Sequence, residues 1–115
     1  MSTIKRSPHR PTDWVKTHDN VSIGANASNN GAWLSCDGYD RISVQVNMPS
    51  ATTFQFWVDW SFDGSTYVNG TPSSNITGVN GGAVYDVQAP FYRMNVKNTD
   101  STNAKTTNAY AYLKG

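Results

Sequence analysis

A serine or cysteine nucleophile needs a positioned base, usually a histidine. Both histidines of this chain, His9 and His18, fall within its first 18 residues. From residue 19 onward there is no imidazole. Cys36, which follows the apolar Trp33 and Leu34, therefore reads as a small buried residue rather than a nucleophile. Paired carboxylates offer a second route, because glycoside hydrolysis needs two acids flanking one bond. The candidates are Asp59 with Asp63, and Asp37 with Asp40. Asp37 and Asp63 each precede a glycine, where aspartate serves the turn backbone. Asp40 and Asp59 read as ordinary outward positions at strand edges. The turn carboxylates lack calcium-loop spacing, and no cysteine–histidine cluster has zinc spacing. Gly78, Gly81 and Gly82 lie in a polar stretch with no helix after them to complete a phosphate cradle. The expectation is a protein without catalytic residues, metal or cofactor.

What remains is surface chemistry. Residues 54–60 alternate, with Phe54, Phe56, Val58 and Trp60 on one face and Gln55, Trp57 and Asp59 on the other. Trp57 then points away from the core, and Phe91 and Arg93 do likewise on a later strand. Tryptophan and arginine are enriched at protein interfaces, an outward tryptophan also suits stacking on a sugar ring, and a sheet covered on both faces would make Trp57 core. All three readings stand at this level.

The elements that position these residues are strands. The chain has 115 residues, enough for one domain with one core. It contains no Glu and only two Leu, whereas Asn, Ser and Thr occur twelve times each. The short polar types compete with a helical backbone, and the apolar residues present suit a half-buried pleated surface. Arg41–Asn47 alternates, with Ile42, Val44 and Val46 on one face. Residues 91–97 place Tyr92, Met94 and Val96 together. In the last segment Tyr110 and Tyr112 share one face and Ala109, Ala111 and Leu113 the other, and the pattern leaves open which is buried. Asp63-Gly64 signals a hairpin leading into a strand at residues 66–68. Residues 69–82 read as a long polar loop holding a short strand near Ile76. The expected architecture is an antiparallel β-sandwich or jelly roll of seven to eight strands over residues 19–115.

Residues 1–18 read as an extended arm. Pro8 and Pro11 block regular structure. Lys5, Arg6, Arg10 and Lys16 stand against Asp13 alone, while the rest of the chain holds five basic residues and seven Asp. A basic arm on an acidic body suits an acidic partner surface, and Trp14 would anchor the arm to its own body or to a neighbour. The acidic body and the absence of interleaved basic and aromatic residues argue against nucleic acid. No apolar run reaches membrane-spanning length, the N-terminus has no signal-peptide pattern, and the single cysteine permits no internal disulfide. Synthesis in a cytoplasm with no membrane association is the expectation.

The stretch Val58-Asp59-Trp60-Ser61-Phe62-Asp63-Gly64-Ser65-Thr66-Tyr67 resembles the "S-x-D-G-[ST]-x-[YF]" hairpin of small tailed-phage virion proteins. The later strand 91–96 and the closing strand 108–115 resemble the paired strands that end such domains. The likeness covers roughly residues 40–115 and points to the capsid decoration, or cement, proteins. It implies a homo-oligomer, a trimer favoured, that binds the major capsid protein on the virion surface at capsomer junctions and stabilises the shell. Lys5, Arg6, Arg10, Trp14, Trp57 and Arg93 are the residues expected at that interface. The alternative is a carbohydrate- or receptor-binding module of a phage tail or fibre, with Trp57 and residues 69–82 forming the site.

Overall fold

The computed structural model describes residues 12–115. They form an all-β sandwich of two antiparallel sheets. The strands are β1 (Thr12–Ile23), β2 (Ser28–Asn30), β3 (Leu34–Ser35), β4 (Arg41–Asn47), β5 (Thr53–Ser61), β6 (Asn69–Gly70), β7 (Ser74–Thr77), β8 (Asn80–Asp86), β9 (Phe91–Asn98) and β10 (Lys105–Lys114). One sheet has four strands in the order β1-β10-β4-β8. The other is built on β2-β9-β5-β6, with β3 also paired to β9 and β7 to β5. Ten strands replace the expected seven to eight, because residues 69–82 hold β6, β7 and the start of β8. The strand expected at 66–68 begins only at Asn69; residues 62–68 are a wide turn.

The core lies where alternation places it. Ile42, Val44 and Val46 from the first sheet meet Phe54, Phe56, Val58, Trp60, Tyr92, Met94 and Val96 from the second, all buried. Each such side chain contributes roughly 1.5–3 kcal/mol by leaving water. The ambiguous last strand resolves in favour of its small residues. Ala109, Ala111 and Leu113 face inward in register with Val46, Val44 and Ile42, and the tyrosines face out.

The boundary expected at residue 18 is corrected. Thr12 to Ile23 form the edge strand of the four-stranded sheet, antiparallel to β10 from Thr12↔Lys114 to Ile23↔Lys105. Residues 12–18 carry little apolar periodicity, and what makes them a strand is the hydrogen-bonding partner far along the chain. His18 accordingly belongs to the body. Strict alternation would turn it outward with Trp14 and Lys16, but a bulge between Lys16 and His18 gives β1 one extra residue and rotates the ring inward. There His18 is 1 % exposed. Its Nε2–H donates to the Asn29 carbonyl at 3.2 Å, so Nδ1 accepts from the Thr17 hydroxyl, also at 3.2 Å. This ties β1 of one sheet to β2 of the other. Asn98 makes a second tie, donating from Nδ2 to the Ile23 carbonyl at 2.9 Å and to the Asn103 carbonyl at 2.8 Å.

Candidate interaction surface

The outer face of the four-stranded sheet is organised in rows that cross all four strands. Register aligns Thr12, Lys114, Arg41 and Asp86 in the first row, and Trp14, Tyr112, Ser43 and Val84 in the second. Lys16, Tyr110, Gln45 and Gly82 follow. Beyond them an amide row begins with Asn20 and Asn108, bonded side chain to side chain at 3.2 Å, and ends with Asn47 donating to Asn80 at 2.7 Å. The second and third rows expose aromatic and apolar side chains among the polar Ser43, Lys16 and Gln45: Trp14 is 65 % exposed, Val84 60 %, Tyr112 44 % and Tyr110 37 %. Lys16 sits 5.5 Å above the Tyr110 ring and pairs with Asp19 at 2.9 Å. The hydrogen bond that the ammonium donates to Asp19 raises its pKa above the usual range.

The face has a tall half and a low half. Trp14, Tyr110 and Tyr112 stand on β1 and β10. Ser43 and Gly82 leave a shallow open depression of about 440 Å³ over β4 and β8, rimmed by Asn80 and Val84. A Cβ on Gly82 would lie 2.5 Å from the Gln45 amide nitrogen, so the glycine is what lets Gln45 lie flat there.

The outer face of the six-stranded sheet is different. Asp59 points outward, as its phase predicts, but it is buried at 5 % exposure rather than lying on an open edge. Oδ2 accepts from Arg93 Nη2 at 2.8 Å, Arg93 Nε at 3.1 Å and Asn95 Nδ2 at 2.7 Å. The Arg93 guanidinium lies 4.4 Å from the Trp33 ring, and Gly70 of β6 packs so closely over Asp59 that a Cβ there would sit 2.9 Å from Oδ1. Arg93 is thus engaged within the molecule. Trp57 lies on the same strand two residues before Asp59, half-buried and in register with Asn95.

The residues expected at one interface are therefore distributed. Trp14 lies on the four-stranded face, and Trp57 and Arg93 lie on the opposite face of the sandwich. Lys5, Arg6 and Arg10, with His9, lie outside the described residues. Tyr110, Tyr112 and Val84 are the surface residues that sequence reasoning missed; the tyrosine alternation was visible, but not the face it belonged to.

The remaining reactive groups are held in place by the fold. Cys36 is buried, its thiol donates to the Ala89 carbonyl at 3.0 Å, and burial pushes its pKa up to about 11. Asp63 organises the wide turn. Its Oδ1 accepts from the Ser65 and Thr66 amides at 2.9 and 2.8 Å, and its Oδ2 from the Thr66 hydroxyl at 2.9 Å. These bonds hold the carboxyl well below the usual range. The turn presents Phe62, Tyr67 and Val68 to solvent. Among the described residues no three His, Cys or Asp side chains converge on a metal-sized site.

No known family model matches the chain, and no curated protein matches it. Solved structures do share its fold. The PBSX exported protein XepA superposes with a TM-score of 0.72 at 12% identity, over 90% of this chain, which spans 37% of XepA. The SPBc2 prophage-derived protein YomS gives 0.63 at 10% identity, over 98% of this chain and 100% of YomS. The structure of infectious bursal disease virus, Gx strain, gives 0.55 at 6% identity, over 99% of this chain and 36% of the viral one. At these identities the shared property is the fold.

Proposed function

We propose that this chain is a structural protein of a bacteriophage particle, one that binds the outer capsid surface at capsomer junctions and stabilises the shell. The observation that carries the reading is the uncovered aromatic face. It is a sheet surface with Trp14, Tyr110, Tyr112 and Val84 open to solvent, and the sequence ahead of its edge strand carries Lys5, Arg6 and Arg10. Faces of this kind bind proteins. The prophage-derived and viral fold relatives support the setting, as fold-level analogy.

In this reading the basic residues ahead of Thr12 meet an acidic surface of the major capsid protein, and the aromatic face supplies apolar contact. Each copy contributes modest affinity. Many symmetric copies on one shell multiply it without a large single interface. The test is cosedimentation with purified empty shells. Removing residues 1–11 is expected to weaken retention at least tenfold, and to remove most of its dependence on salt between about 50 and 300 mM. Trp14→Ala with Tyr112→Ala is expected to weaken it independently. Retention undiminished by either change would sink the proposal.

A further inference from the structure

We propose that Asp13 guards the edge of β1: its carboxylate closes the hydrogen-bonding side of this strand and keeps it from pairing with β1 of a second copy. The inference goes beyond the capsid reading and stands without it, since it concerns an edge and leaves the aromatic face free.

β1 is the outermost strand of the four-stranded sheet, with β10 on one side and no described strand on the other. A strand so placed offers unpaired N–H and C=O groups to another chain. The far half of β1 is unsuited to such pairing. Register shifts fall between Lys16 and His18 and between His18 and Val21, and Asn20 lies in the left-handed region at φ 50°. Bulges of this kind bend and twist an edge away from a partner. Residues 12–16 have none, and their register runs unbroken from Thr12↔Lys114 to Lys16↔Tyr110. The other described edges are shorter or flanked. β2, β3, β6 and β7 span two to four residues each. β8 is flanked by β7, whose Ile76 side chain would lie 2.6 Å from a Cβ on Gly81.

Asp13 stands in this regular stretch. It is level with the buried Leu113, on the core side of the sheet, yet it is exposed. Its Oδ1 accepts the Trp14 N–H at 2.8 Å. An N–H held by a side chain of its own strand is not donated to β10. Trp14 therefore directs its backbone groups to the free edge, and Thr12 and Lys16, two residues away on either side, do the same. Asp13 thus takes the central donor of the edge. It also leaves there a charge that an added strand would have to desolvate. Natural sheets block their edges with inward-pointing charges of this kind. With an uncharged, β-branched residue at position 13, nothing opposes a second β1 lying antiparallel about Trp14, with Thr12 beside its Lys16.

Sedimentation equilibrium of the full chain tests this, with circular dichroism to check the fold. Asp13→Val is expected to self-associate at least about tenfold more tightly than the wild type. Amide hydrogen exchange at Trp14 and Lys16 should slow with rising concentration in the variant and not in the wild type. Adding Trp14→Pro removes the outward N–H itself and should return association to the wild-type level, since proline is tolerated on an edge whose N–H faces solvent. Adding Trp14→Ala, which keeps that N–H, should leave the association in place. If Trp14→Pro fails to fold, the exchange measurement and Trp14→Ala carry the test. Association of Asp13→Val no tighter than that of the wild type would overturn the inference. So would exchange at Trp14 that ignores concentration, or association lost as completely with Trp14→Ala as with Trp14→Pro.

Discussion

Replacing Arg93 by methionine separates a residue that binds a partner from one that holds the fold. The substitution keeps most of the aliphatic stem and removes two of the three donors to Asp59 Oδ2, leaving Asn95 at 2.7 Å. At 2.8 Å and an effective dielectric near 20, the lost attraction is about 6 kcal/mol before compensation. Solvent screening lowers that figure, because the Arg93 side chain is 22 % exposed. Breaking a buried pair from one side costs about 3–5 kcal/mol, and the partial exposure places this one near 3. For a domain of this size that is a large share of a total stability of about 5–15 kcal/mol. It corresponds to a melting temperature lower by about 12–24 °C, or a urea midpoint lower by about 2 M. The assay is urea unfolding followed by tryptophan fluorescence. Adding Asp59→Asn to Arg93→Met should recover more than half of the loss, since no buried charge then stands unpaired. Shell retention of the single variant should fall only in proportion to its folded fraction. A cost below about 1 kcal/mol would refute the reasoning and return Arg93 to the surface as a free interface group.

Burial depresses the pKa of His18, so the unfolded chain binds a proton more readily than the folded one. The stability this histidine contributes is therefore complete above about pH 6.5, the unfolded value, and is lost as pH falls through the depressed folded value. Melting temperatures at pH 7.5 and 5 should fall more steeply for the wild type than for His18→Gln. Asp63→Ala should leave the sandwich folded but speed amide hydrogen exchange at Ser65 and Thr66, whose N–H groups lose their acceptor. Cys36 should resist a thiol-specific disulfide reagent at pH 8 and react fully in denaturant, because it is buried and its thiolate is scarce at that pH.

The buried faces of β4, β5 and β9 were legible in the sequence because each alternates cleanly against one core. The last strand was not, since alanines on one side and tyrosines on the other both suit a sheet. Only pairing with β4 distinguishes them, the alanines lying level with Val44 and Val46. β1 was missed for a related reason. Prolines precede it, polar residues fill its middle, and its partner lies at the far end of the chain. The bulge that turns His18 inward has no local signature. Asp59 shows the limit of phase reasoning, because its outward direction was right while its exposure was set by Arg93, Asn95 and Gly70 from other strands. That limit bears on the interface candidates. Trp57 and Arg93 were chosen as outward aromatic and basic residues, yet the open aromatic surface lies on the other sheet.

The pairing of β1 with β10 has a mechanical meaning. Thr12 and Lys114 are opposite one another at the start of a ladder of nine aligned pairs ending at Ile23 and Lys105. A pull that separates residues 12 and 114 sideways opens this ladder one pair at a time, like a zip. A pull along the strand axis, applied through the residues ahead of Thr12 while the body is held against a surface, loads all nine pairs at once. Twelve residues of strand make that shear contact about 40 Å long. If a shell swells under its contents and drags on the N-terminal segments, the fold meets the force in its stronger direction, and the strand that bears the load also carries Trp14.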